Sequence, residues 1–192
     1  MDGRVKTLQH KIHGGLLAVL DNPNHQIQME EHKISSIDLL IVNLYPFEKT
    51  LANPTATPDD IIENIDIGGP AMVRAGAKNY RWTAVVVNPN RYPIILEQLT
   101  ENNGTLSEQF RRELAGEAFA HTGYYDSLIA GYFRSTNRSE IFPDELSLAI
   151  RKEQSLRYGE NPHQSAVLYG NFSSIFHQLH GKELSYNNII DI

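Results

Sequence analysis

The chain has 192 residues, of which 41% are hydrophobic, with a formal net charge of -6 at pH 7 and no cysteine. The acidic balance excludes a general nucleic-acid binder, which would present a basic surface. No apolar run approaches the roughly 18–20 residues that cross a bilayer, no signal-peptide core follows Met1, and the lack of cysteine excludes disulfides and thiolate metal sites and fits a cytoplasmic protein.

In chain order, His10 and His13 are spaced i, i+3, but with no third ligand nearby they predict no metal site. Asp38–Leu44, leading into Tyr45-Pro46-Phe47, reads as a strand buried on both faces. Thr57-Pro58-Asp59-Asp60 predicts a helix start, with Thr57 as N-cap, Pro58 at the first position and Asp60 closing a capping box. That helix, running from Ile61 to Asn64, feeds Asp66 into a Gly68-Gly69-Pro70 turn. Pro70 is expected at the first position of a second helix reaching Lys78. Glycines there let a backbone approach a ligand closely, and the unpaired N–H groups of a helix start favour an anion or an electron-rich oxygen.

Thr83–Val87 is a second buried strand, stopped by Asn88-Pro89-Asn90. Two continuous β-branched runs separated by helices predict a parallel sheet in an α/β fold. Ligand sites in such sheets collect at the C-terminal ends of strands, where Asn43 and Tyr45 stand. A helix from about Tyr92 to Leu99 should end at Asn102-Asn103-Gly104. Thr105 and Glu108 then predict a capping box for a long amphipathic helix to about Phe133, with His121 and Tyr125 on its apolar face as bonded core groups. Ser135 to Pro143 is turn-rich, and Ala166–Tyr169 is a further strand. Residues 1–135 therefore read as a core domain, 136–147 as a linker and 148–192 as the opening of a second domain.

Five segments stand out in order: Asp2–Leu8 with Lys11-Ile12-His13-Gly14-Gly15, Asn43–Phe47, Asn64–Lys78, Arg157–Gln164 and Leu184–Asp191. Together they closely resemble the family of bifunctional purine biosynthesis enzymes that join IMP cyclohydrolase to AICAR transformylase. The resemblance implies a methylglyoxal-synthase-like α/β fold, with a parallel sheet flanked by helices. It also implies closure of the purine ring of 5-formamidoimidazole-4-carboxamide ribonucleotide to IMP with loss of water.

That reaction needs a group to manage the amide proton, a stabiliser for the oxyanion and an anchor for the phosphate. On the family's positions, Asp66 would exchange the proton and Lys6 would hold the oxyanion. Tyr45 and Lys78 would orient the formyl and carboxamide groups. Arg4, Thr7, Asn43 and the N–H groups of Ile67 and Gly68 would contact substrate. Lys78, well into its helix, is carried by the resemblance alone. Arg157 and Tyr158 match family residues that hold the aminoimidazole carboxamide nucleotide across a homodimer, guanidinium to phosphate and ring to base. Cyclisation needs no cofactor in this family, whereas the remainder of the transformylase domain uses 10-formyltetrahydrofolate. The expected partners are a purine-precursor nucleotide and a second copy of the complete protein, with no nucleic acid and no membrane.

Gln9 and His10 stand where the family has His-Pro. The family's upstream phosphate-binding segments, Ser-x-x-Asp-Lys and Ser-Thr-Gly-Gly-Thr, and its downstream Lys-His pair do not occur. The expectation is therefore a sheet incomplete at the N-terminus and a chain truncated at both ends. Two other readings stand beside the cyclohydrolase: a catalytically silent fragment that binds a purine mononucleotide or a complete homologue, and a regulatory methylglyoxal-synthase-like ligand module. The matching Lys6, Tyr45, Asp66 and Lys78 favour the enzyme lineage over the regulatory module.

Overall fold

The computed structural model describes residues 4–5, 7–136 and 142–190. Lys6 and part of the expected 136–147 linker lie outside the described residues. The chain divides into two compact units, Met1–Pro143 and Asp144–Ile192. Among the described residues, no helix is long and apolar enough to cross a membrane.

The first unit opens with helix α1 (His10–Leu17) and helix α2 (Pro23–Glu31), the latter capped by the Asn22 side chain on the Asn24 N–H at 3.0 Å. Strand β1 (Leu39–Ile41) follows, then the short helices α3 (Phe47–Leu51) and α4 (Pro58–Glu63). Helix α5 (Gly68–Lys78) leads to strand β2 (Ala84–Val86), helix α6 (Tyr92–Glu101) and the 29-residue helix α7 (Glu108–Thr136).

Strands β1 and β2 pair in parallel, Leu39 with Ala84 and Ile41 with Val86. The predicted parallel α/β arrangement is thus present. Bonds from Ala84 N–H to Asp38 O (2.8 Å) and from Val42 N–H to Val86 O (3.0 Å) extend the pairing at both ends. Strand β2 is buried throughout, but β1 is not buried on both faces as its apolar run suggested. Leu39 and Ile41, on one face of the strand, are exposed, and among the described residues β1 pairs with β2 alone. On the covered side, Val73 and Ala77 of α5 and Ala115 and Ala118 of α7 pack against Val85 and Val87. Gly76 is where α5 meets the sheet. A Cβ there would stand 2.6 Å from Val85 Cγ2, so only glycine allows that approach.

Three local expectations meet different outcomes. The Thr57–Asp60 capping box is formed in both directions, with Pro58 as the first helical residue. Helix α7 is capped not by Thr105 but by Ser107, whose Oγ accepts from the Phe110 N–H at 3.1 Å. Ser107 directly precedes the first helical residue, whereas the Thr105 hydroxyl donates to Asn102 O. Pro70 is third in α5, not first, because Gly68 and Gly69 are themselves the opening of the helix. Its missing N–H still falls within the unpaired first turn.

The second unit holds strands β3 (Lys152–Leu156) and β4 (Ala166–Tyr169), an antiparallel pair, and a short helix α8 (Tyr186–Ile190). The β4 range coincides with the predicted strand. The Ser173 side chain, then the N–H groups of Ser173 and Phe172 that donate to it, hold the Glu153 carboxyl below the usual range, and the two N–H bonds fix the turn after β4.

Candidate functional site

Asp66 leaves α4 through Asn64 and Ile65 and arrives two residues before α5. Its carboxylate bends back onto the start of that helix: Oδ1 accepts from the Gly69 N–H at 2.8 Å and Oδ2 from the Tyr45 N–H at 3.3 Å. One carboxylate thus joins the start of α5 to the chain beyond the C-terminal end of β1. A side chain at Gly69 would meet Asp66 Oδ2 and lie 2.8 Å from Leu44 Cδ2, and one at Gly68 would meet Thr7 Oγ1. The paired glycines are required by close approach.

These groups line a pocket of about 570 Å³, within the range of small-molecule sites. Arg4, Thr7, Asn43, Tyr45, Asp66, Ile67 and Gly68, all proposed on sequence grounds, contribute to it, together with Glu63 and the apolar Val42, Ile62, Ile65 and Met72. Arg4 pairs with Glu63 at 3.2 Å across exposed side chains. Asp66 is half-buried, and Asn43 and Tyr45 are exposed at the rim.

Lys78 is not in this group. It ends α5 and lines a second pocket of about 720 Å³ between α1, α5 and α7, with His13, Arg74 and Arg112. Every charged residue lining that pocket is cationic. Arg74 lies over the Phe119 ring at 5.5 Å from its centre, and His13 Nε2 is buried without a hydrogen bond among the described residues.

The residue that sequence reasoning undervalued is Tyr125. Expected as a bonded core group of the long helix, it is buried as such, and its hydroxyl donates to Asn64 O at 3.2 Å and accepts from the Asp66 N–H at 2.8 Å. Burial is the main cause raising its pKa, keeping the phenol protonated so that it can donate. No motif links positions 59 residues apart; the one signal was a polar aromatic on an apolar face, which must find a partner.

In the second unit, Arg157 lies 4.8 Å from the centre of the Tyr158 ring and donates to its hydroxyl at 3.1 Å. Contact with the Ser185 side chain and then the guanidinium lower the Tyr158 pKa. The Tyr158 backbone is tied to the Leu184–Tyr186 segment on both sides, by Arg157 N–H to Leu184 O at 2.7 Å and Tyr186 N–H to Tyr158 O at 3.2 Å. Two of the five sequence segments are thereby brought together.

A family model described as the AICARFT/IMPCHase bienzyme matches residues 76–192, more than half of the chain. The chain belongs to this bienzyme family. Residues 1–71 match a model of the MGS-like domain. The chain is 52% identical over 197 residues to the bifunctional purine biosynthesis protein PurH of Bacillus cereus (strain B4264), and 54% identical over 191 residues to that of Chloroflexus aurantiacus. Each match covers 100% of this chain but 38% and 36% of the respective relative, so the chain spans little more than a third of the curated relatives it matches. Among solved structures, ForH is similar with a TM-score of 0.63 and 33% identity, covering 71% of this chain and 70% of that one.

Proposed function

We propose that the first unit of this member of the AICARFT/IMPCHase bienzyme family is a cyclohydrolase core acting in purine biosynthesis, and that residues 148–192 open an AICAR formyltransferase domain dependent on 10-formyltetrahydrofolate. The observation that carries the reading is the Asp66 carboxylate, fixed by the Gly69 and Tyr45 N–H groups at the wall of the 570 Å³ pocket.

In 5-formamidoimidazole-4-carboxamide ribonucleotide, the carboxamide nitrogen attacks the formyl carbon. A C–N bond forms and the formyl oxygen becomes an oxyanion; it takes up one proton from the attacking carboxamide nitrogen and a second from the formamide N–H, and leaves as water as its C–O bond breaks and the ring C=N bond forms, giving IMP. Asp66 is the base suited to take the amide proton and return it to the departing oxygen. No bond among the described residues engages the N–H of Ile67 or Gly68, so both are free for substrate oxygens at the start of α5, where the helix dipole favours negative charge. Thr7 and Asn43 are polar groups on the same wall. Lys6, by resemblance, is the oxyanion's cation. In the second unit, Arg157 and Tyr158 supply the guanidinium and ring that would hold the aminoimidazole carboxamide nucleotide across a homodimer.

The test is to purify the 192-residue chain, supply the formylated nucleotide and follow purine-ring formation by ultraviolet absorbance. Turnover that falls roughly a hundredfold or more in Asp66→Asn is expected, the scale of a lost acid–base group. Turnover unchanged by Asp66→Asn would remove Asp66 from the reaction. A chain that binds IMP without turning over would favour the silent nucleotide binder instead.

A further inference from the structure

We propose that Tyr125 is a positioning residue for the Asp66 carboxylate, holding the turn that presents it and, through it, the Tyr45 backbone; as a role in catalysis, this rests on the cyclohydrolase reading. The contacts form a closed circuit. From α7 the Tyr125 hydroxyl grips the turn twice, at Asn64 O and at the Asp66 N–H. The Asp66 carboxylate then accepts from the Tyr45 N–H. Tyr45 O in turn accepts from the Phe47 N–H at 2.8 Å. The Phe47 ring, fully buried, meets the Tyr125 ring edge-on with centres 6.0 Å apart. The circuit returns to the side chain from which it began.

Each link constrains a different freedom. The ring contact fixes where Tyr125 stands relative to the Tyr45-Pro46-Phe47 segment. The hydroxyl fixes the peptide plane entering Asp66, because a buried oxygen bonded on both sides has one arrangement that satisfies both partners. With the backbone fixed at Asp66, the carboxylate has the Gly69 and Tyr45 N–H groups within reach. Ile61, Leu44 and Ile65 pack around the rings and keep water from substituting for the hydroxyl. A displacement of about 1 Å at a reacting group costs on the order of a hundredfold in rate. A bond on the backbone of Asp66, outside the pocket wall, can therefore govern the chemistry.

The decisive variant is Tyr125→Phe, which keeps the ring and its contact with Phe47 and deletes only the oxygen. Amide hydrogen exchange in the full 192-residue chain, under native conditions, reads the consequence without relying on activity. The Asp66 amide should exchange about tenfold faster, the scale of one lost hydrogen bond, and the Gly69 and Tyr45 amides should also speed up as the carboxylate leaves them. Tyr132→Phe is the control: its ring also meets Phe47 edge-on, at 6.3 Å, and all three amides should keep wild-type exchange. In the ring-closure assay, Tyr125→Phe should lower kcat about tenfold or more while KM stays within about twofold, as for a group that orients rather than binds. If only the Asp66 amide responds, while Gly69 and Tyr45 keep their protection, Tyr125 merely stabilises the turn and the proposal is overturned. Absence of turnover in the wild-type chain would defeat the cyclohydrolase reading, while the exchange pattern would still decide whether Tyr125 positions the carboxylate.

Discussion

Asp66 and Lys78 stand at opposite ends of helix α5 and line different pockets. Eleven helical residues span about 16 Å, more than a lysine side chain can bridge back along its own helix. A role for Lys78 beside Asp66 therefore requires a second copy of the chain. Mixed assemblies of Asp66→Asn and Lys78→Ala chains should then recover ring closure that neither variant shows alone, because some pockets would combine an intact Asp66 with an intact Lys78. The measurement is ultraviolet-monitored turnover of the mixture against each variant at equal total concentration. No recovery would separate Lys78 from the Asp66 chemistry and leave it to the cationic pocket it lines.

The glycines make a paired prediction about stability. Gly69→Ala places a methyl group against Leu44 Cδ2 and Asp66 Oδ2, forcing either the core or the carboxylate to move. A loss of about 1–3 kcal/mol in urea unfolding is expected, the usual cost of overpacking. Gly116, inside α7, has open space where a Cβ would be built. Gly116→Ala should therefore stabilise by about 0.5–1 kcal/mol through helix propensity alone. Equal effects of the two substitutions would show that the contacts at Gly69 carry no constraint.

The capping box of α4 predicts a pH dependence. Hydrogen bonds from the Thr57 side chain and then its backbone N–H lower the Asp60 pKa. A carboxyl whose pKa is depressed on folding contributes stability above its unfolded pKa, about 4, and loses it as pH falls through the folded value. Thr57→Ala should lower the thermal midpoint by about 2–4 °C at neutral pH, as for a lost N-cap in a domain of this size. The gap from wild type should narrow below about pH 4. A gap that stays constant from pH 7 to pH 3 would separate the cap from the ionisation of Asp60.

What could be read from the sequence was local. Thr57 to Asp60 announced its helix because the cap, the proline and the acid act within four residues, and Asn102-Asn103-Gly104 announced the end of α6 for the same reason: Gly104, at φ 80°, donates its N–H to Leu99 O. Thr105 misled because the same offset to Glu108 fits a capping box whether or not a better cap, Ser107, lies between them. For β1, four successive apolar residues state how well the strand would pack but not which of its faces is covered, so the exposure of Leu39 and Ile41 was not legible. The pocket around Asp66 was assembled largely from residues the sequence had singled out, since the resemblance supplied positions that spacing could not. Neither the separation of Lys78 nor the grip of Tyr125 could be read in advance, because both depend on where α5 and α7 lie in space.

The second unit gives a test that needs no substrate. Three groups act on Tyr158: the Ser185 side chain, the Arg157 guanidinium and, more weakly, the Lys182 charge, and all of them favour the phenolate. Removing Arg157 deletes both a hydrogen bond to the hydroxyl and a positive charge beside it, so the Tyr158 pKa should rise towards the ordinary tyrosine value of about 10. Ser185→Ala should move it the same way, whereas Tyr169→Phe, altering a tyrosine on β4, should leave it in place. Carbon-13 labelling of the tyrosine ring carbon that bears oxygen, followed by NMR from pH 7 to 12, resolves Tyr158 from the chain's nine tyrosines. If the titration is the same with and without Arg157, the guanidinium does not act on the phenol in solution. The arginine and ring would then no longer stand as a preformed pair for a phosphate and a base.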